Sequence, residues 1–133
     1  MSKAGFLAQG KAICERTQER INNGAELAFT QQGEIPSAEQ VQSFVDDTVV
    51  PAIQEEVDEL EDLKPPEDDE SIVEEIIEAG KTGADELSTS GVLLLNKDRS
   101  PLNRYENLPA NYGLSPCGDI PEETERKLAG LRD

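Results

Sequence analysis

The sequence predicts an all-α fold, a small bundle of about four helices with a C-terminal tail helix. Three observations lead there. Apolar residues recur at spacings of three and four over several long segments, the period of a helix with one buried face. Aromatic residues are only 4% of the chain and Trp is absent, so the core rests on Ile, Val, Leu and Ala. Such a core suits helices with an aliphatic seam better than an aromatic-rich β-sandwich. The segments are also punctuated by strong helix-stop signals, "INNG" and "KPPEDDE". At 133 residues the chain is the size of one ordinary domain, read here as residues 1–118 plus a C-terminal extension over 119–133.

Ser2 caps a first helix expected to run to about Asn23, with Phe6, Gly10, Ile13, Thr17 and Ile21 on one face and Leu7 and Cys14 on its flank. Gly10 weakens that helix but permits close approach of another segment. "INNG" is the expected stop, because Asn and Gly tolerate the left-handed conformation that ends helices. Residues 24–36 read as a connection, with at most a short helical turn in "AELAFTQQ".

Ser37 and Gln40 form a capping-box pattern that starts a second helix. Its stripe is Val41, Phe44, Val45, Thr48, Ala52, Ile53, Val57, Leu60 and Leu63. Pro51 lies inside that stripe, lacks a backbone donor and crowds the Asp47 carbonyl, so a kink or break is expected near Val49 and Val50. Pro65 and Pro66 end the segment, and the acids from Glu67 to Glu70 suit the positive end of a third helix. There Ile72, Val73, Ile76, Ile77, Gly80, Ala84 and Leu87 give the buried stripe. The short connection implies that helices two and three form an antiparallel hairpin.

Val92–Leu95 has no partner strand in view and reads as a hydrophobic loop or short helix closing the bundle. A short fourth helix follows from Pro101, with Leu102 and Tyr105 inward and Pro109 disturbing its end. After a Tyr-Gly-Leu turn and Cys117, "DIPEETERKLAGLRD" reads as the tail helix, with Pro121 near its first turn. It is weakly amphipathic through Ile120, Thr124, Leu128 and Leu131. No internal repeat is visible.

The net charge of −17 disfavours nucleic acid and anionic membranes as partners by Coulomb repulsion. The charge is localised: Asp46–Glu86 holds 17 acids and two bases. The candidate acidic surface comprises Glu55, Glu56, Asp58, Glu59, Asp62, Glu67, Asp68, Asp69, Glu70, Glu74, Glu75 and Glu78. These carboxylates read either as solvated helix faces or as a surface for cations or a basic partner.

With no His in the chain, Ser-His and Cys-His nucleophile pairs and His-containing zinc sites are excluded. Two cysteines cannot complete a thiolate metal site, and no phosphate-binding glycine loop is present. "PPEDDESIVEEI" has the acids of a calcium loop but neither its central Gly nor its alternating ligands. No catalytic residue, metal or cofactor is therefore assigned. Carboxylate acid–base chemistry would need a concave pocket holding paired acids of shifted pKa.

No run of 18 apolar residues is present to span a membrane, and "MSKAGFLAQGKAIC" carries no signal-peptide core, so the sequence as it stands suggests the cytoplasm. Cys14 and Cys117 have two readings. They are either free thiols buried as small hydrophobes, or a disulfide tying the first helix to the end of the domain.

Four segments in order resemble small exported helical proteins and lipoproteins of actinobacteria. "FLAQGKAICERTQERI" is similar to their N-terminal helix, and "FVDDTVVPAIQEEVDELEDLKPPEDDE" to their Val-Pro helix and Pro-Pro acidic junction. "SIVEEIIEAGKTGADEL" is similar to their third helix, and "NRYENLPANYGLSPCG" to their closing Tyr-Gly-Leu and Cys-Gly motif. The resemblance implies a bundle closed by one Cys14–Cys117 disulfide and a place outside the cell or in its envelope, with an export signal removed upstream. It implies no reaction. Three features depart from the pattern: the missing signal, Pro109 in the closing helix, and the extension past residue 118.

The expectation is thus a non-enzymatic exported or envelope-associated interaction module, whose partner is a basic protein or envelope component. The alternative is a cytosolic acidic mimic that occupies a basic partner's nucleic-acid site.

Overall fold

The computed structural model describes residues 2–29, 35–95 and 99–128. Among the described residues six α-helices follow in order: α1 Lys3–Ala28, α2 Ala38–Phe44, α3 Val50–Asp62, α4 Glu70–Thr89, α5 Asn103–Tyr112 and α6 Glu122–Leu128. No strand occurs among the described residues. The fold is an all-α bundle closed by a disulfide, with a short C-terminal helix.

Ser2 caps α1 by accepting from the Gly5 N–H at 3.1 Å. Phe6, Gly10, Ile13, Cys14, Thr17 and Ile21 face the core. Contrary to expectation, α1 does not stop at "INNG" but runs on to Ala28. Tertiary contact overrides the local signal. Ala25 is fully buried, and Phe29 beyond the helix packs edge-on against Phe44 with ring centroids 5.1 Å apart. Gly24 sits against Thr48, where a Cβ would come within 2.5 Å of the Thr48 methyl. A helical glycine costs about 1 kcal/mol, less than the roughly 2 kcal/mol from burying one large side chain such as Phe29. Thr30–Gln32, the end of the predicted helical turn, lie outside the described residues.

Both capping-box bonds form between Ser37 and Gln40. Pro51 does not break the helix. Val45–Val49 widens into one π-helical turn, and the Val50 N–H donates to the Val45 carbonyl five residues back. The wider turn absorbs the missing donor, so Pro51 becomes a first-turn residue of α3.

Leu63 turns the backbone extended ahead of Pro65 and Pro66, and Glu67–Asp69 forms a 3₁₀ turn leading into α4. Helices α3 and α4 pack along each other as the predicted hairpin. The α4 stripe holds from Val73 to Leu87, but Ile72 is 45% exposed and does not belong to it. Its Cβ lies about 100° around the helix from Val73, outside the arc that faces α3 and α5.

Gly91–Leu95 is a short 3₁₀ helix, held because Gln42 accepts from the Gly91 N–H at 2.8 Å. In α5, Pro109 does not end the helix, which continues to Tyr112. Gly113, with φ of 103°, then reverses the chain in the left-handed conformation. Its N–H and that of Leu114 both donate to the Pro109 carbonyl, at 2.9 and 2.7 Å. The tail helix lies against α1: Thr124 and Leu128 are buried, and the Thr124 hydroxyl donates to Asn22 Oδ1 at 2.6 Å. Leu131 lies outside the described residues.

Candidate functional site

Residues 113–121 form a clasp across the bundle, anchored by the Cys14–Cys117 disulfide, whose cysteines are 103 positions apart in sequence. Both cysteines are fully buried. Leu114 is buried over Gly10, where an added Cβ would come within 2.6 Å of its Cδ2, so the glycine does permit the close approach inferred for it. Gln18 holds the clasp from α1, donating to the Asp119 carbonyl at 2.8 Å.

Beneath the clasp lies Glu56, which corrects the sequence-based acidic surface. It is 1% exposed, so it is a core residue and not part of any solvent-facing patch. Its Oε1 accepts from the Tyr105 hydroxyl at 2.6 Å, and Thr17 and Gly118 are polar neighbours that favour its charged form. Burial pushes the Glu56 carboxyl up to about 7, because Tyr105 and the other polar neighbours offset only part of its lost hydration. Tyr105 is held well above its ordinary value, by burial first and then by the Glu56 charge. The periodicity contained the warning. Position 56 is three after Ile53 and four before Leu60, on the apolar stripe itself, while Glu55 and Asp58 are not.

The other acids lie on α3, the 3₁₀ turn and α4. Glu55, Asp58, Asp62, Glu67, Asp68, Glu70, Glu74, Glu75 and Glu78 are exposed, and Glu59 and Asp69 are half-buried. Glu55 and Glu59 are paired with Arg20 and Arg16 of α1, the latter at 3.4 Å, and Glu61 with Lys81 at 3.0 Å. Exposed pairs of this kind contribute well under about 1 kcal/mol each. The outward face free of these pairs therefore centres on the α4 carboxylates. No group of three or more acids or cysteines among the described residues has an arrangement that could hold a metal ion.

Asp69 is engaged in the fold, accepting from the Tyr112 hydroxyl at 2.6 Å, while Lys3 Nζ sits 4.7 Å from the Tyr112 ring centre. Burial and Asp69 push the Tyr112 hydroxyl up to about 12. A folded value above the ordinary 10 means that this bond stabilises the fold below pH 10 and is lost as pH rises through about 12. Tyr112→Phe is expected to cost about 1–2 kcal/mol in urea unfolding at neutral pH, with the deficit vanishing above that window.

A groove of about 710 Å³ runs beside the clasp, with Leu102, Glu106, Gly118, Ile120, Glu125 and Leu128 in its walls. Asp119, next to it, is pushed up to about 6 by burial and by Glu106 and Glu125. No helix among the described residues is long and apolar enough to cross a membrane. No protein-family model matches the chain, and no curated protein or solved structure matches it significantly.

Proposed function

We propose that this chain is a non-enzymatic interaction module of the cell envelope or extracellular space, presenting the acidic face of α4 and the α3–α4 junction to a basic protein. One observation carries the reading. A run of exposed carboxylates, Glu67, Asp68, Glu70, Glu74, Glu75 and Glu78, stands on a scaffold tied by a buried disulfide. Disulfides persist in oxidising compartments, which favours an exported protein over the cytosolic mimic. A concentrated anionic face accelerates encounter with cationic partners and repels anionic ones.

The test uses a lysine- and arginine-rich helical peptide as probe and follows its binding by fluorescence anisotropy across a salt series. Salt-sensitive binding is expected for the parent protein, with at least about a tenfold loss in Glu74→Lys/Glu75→Lys/Glu78→Lys at low salt. Equal binding by parent and variant overturns the assignment of the face. Separately, intact mass of protein recovered from its native host, alkylated before and after reduction, reads the compartment. Two free thiols in that sample overturn the exported reading.

A further inference from the structure

Helical spacing builds the groove beside the clasp. Along α6, Glu122, Glu125 and Leu128 recur every third residue, and along α5, Asn103, Glu106 and Asn107 stand three and four apart. Each helix therefore turns one edge to the groove. Its floor is apolar. Leu102 and Leu128, both 2% exposed, show it an edge, and Leu94 and Ile120 pack half-buried against the same core. None of its described lining belongs to α3 or α4, so the groove is separate from the acidic α4 face.

The walls are fixed before anything binds. The Cys14–Cys117 disulfide and the Gln18 bond to the Asp119 carbonyl hold the clasp to α1. Helix α6 is tied to α1 by the Thr124 bond to Asn22, and Gly118 lies directly against the Tyr105 carbonyl of α5. A preformed site spares a ligand the cost of ordering it. At about 710 Å³ the groove falls within the roughly 300–1,000 Å³ of sites that hold one small molecule.

Charge decides the kind of molecule. Among the described residues the rim carries three carboxylates, Glu106, Glu122 and Glu125, against one guanidinium, Arg126, which donates to Glu122 at 2.8 Å. Asp119, between the lining residues Gly118 and Ile120, adds a carboxyl that Glu106 and Glu125 repel, and a bound cation relieves that repulsion. The net charge of −17 disfavours a second copy, an anionic lipid or a nucleotide as occupant. An apolar floor under an anionic rim is complementary to a cationic head on an apolar body.

We propose that the groove between α5, α6 and the clasp binds a small amphiphilic amine, its apolar body on Leu102, Ile120 and Leu128 and its ammonium against Glu106 and Glu125. The assignment stands independently of the α4 face. The probe is octylamine, a cation at neutral pH, compared with 1-octanol and methylamine and followed by amide chemical shifts of the ¹⁵N-labelled protein at physiological salt. Octylamine is expected to move the Glu106, Gly118, Ile120 and Glu125 amides saturably and to bind about five- to tenfold more tightly than octanol. Methylamine, the charge without the chain, is expected to leave them in place at the same concentrations. Glu106→Gln/Glu125→Gln, at exposed and half-buried positions, is expected to bring octylamine down to the affinity of octanol. Glu74→Lys/Glu75→Lys/Glu78→Lys is expected to keep it within about twofold of the parent, because salt screens the distant face. Groove amides unmoved by octylamine overturn the site, as does octanol binding the parent equally well or an equal loss in the two variants. Groove shifts caused by a lysine- and arginine-rich helical peptide but not by octylamine assign the groove to a protein segment and overturn the small amine. Shifts that grow with protein concentration alone assign it to a second copy and do the same.

Discussion

Replacing Cys14 and Cys117 together by alanine lowers the unfolding free energy by about 4–5 kcal/mol, and the melting temperature by roughly 10–20 °C. The disulfide closes a loop across a sequence separation of 103, and in the chain-entropy model a loop of that size restricts the unfolded ensemble strongly. The chain has special need of that restriction. Its middle carries 17 acids against two bases, whose repulsion favours the expanded state, and its core is largely aliphatic. Loss of the bond also frees the clasp whose Leu114 covers Gly10. Thermal unfolding of the parent and the double variant, both without reductant, decides the matter. A difference below about 1 kcal/mol would show that native-state packing alone holds the ends together.

Gly118→Ala is the second large effect. Gly118 has φ of 81°, and an added Cβ would lie 2.4 Å from the Tyr105 carbonyl oxygen and 2.8 Å from the Glu106 nitrogen. Those are backbone atoms of α5, so no side chain can rotate to make room. Pro109 explains why the clasp comes so close here: it has no N–H to bond the Tyr105 carbonyl, which leaves that side of α5 open to a neighbouring segment. The left-handed conformation costs alanine about 1–2 kcal/mol and the clash about 1–3 more, so roughly 3–5 kcal/mol is expected in urea unfolding. Gly113→Ala is the internal control. It has a similar φ of 103°, but its Cβ would meet only the Leu7 methyls at 3.5 and 3.6 Å, so only the conformational part should appear. Equal losses at the two glycines would remove close packing as the cause.

Much of the architecture was legible before the structure. The capping box at Ser37 and Gln40, the Pro65–Pro66 junction and the stripes of α1, α3 and most of α4 form as read, because each depends on residues within about one or two helical turns of one another. Extension of α1 past "INNG" was not legible, since the gain comes from Thr48 and Phe44, some 20 residues away in the chain. Pro51 marked the irregularity, but the sequence did not show its form: a π-helical turn accommodates it without breaking the helix. Ile72 was misplaced for a simpler reason. A stripe counted in residues is wider than the face that a neighbouring helix can cover.

The candidate sites divide in the same way. Exposure of the α4 acids followed from their position opposite the apolar stripe, but Glu56 was counted among surface acids by composition and only packing placed it inside. Its hydrogen-bond partner Tyr105 comes 49 positions after it, and its neighbours Thr17 and Gly118 come 39 before and 62 after, so no local pattern unites them. By itself the sequence determined helix type, the sign and location of the charge, and the absence of histidine chemistry, since these follow from residue identity and short-range periodicity. Tertiary structure alone decided which carboxylate enters the core, which donors meet it and how the clasp seats over it. Those outcomes depend on contacts between distant segments, where burial of a polar group is tolerated only if hydrogen-bond partners arrive from elsewhere in the chain.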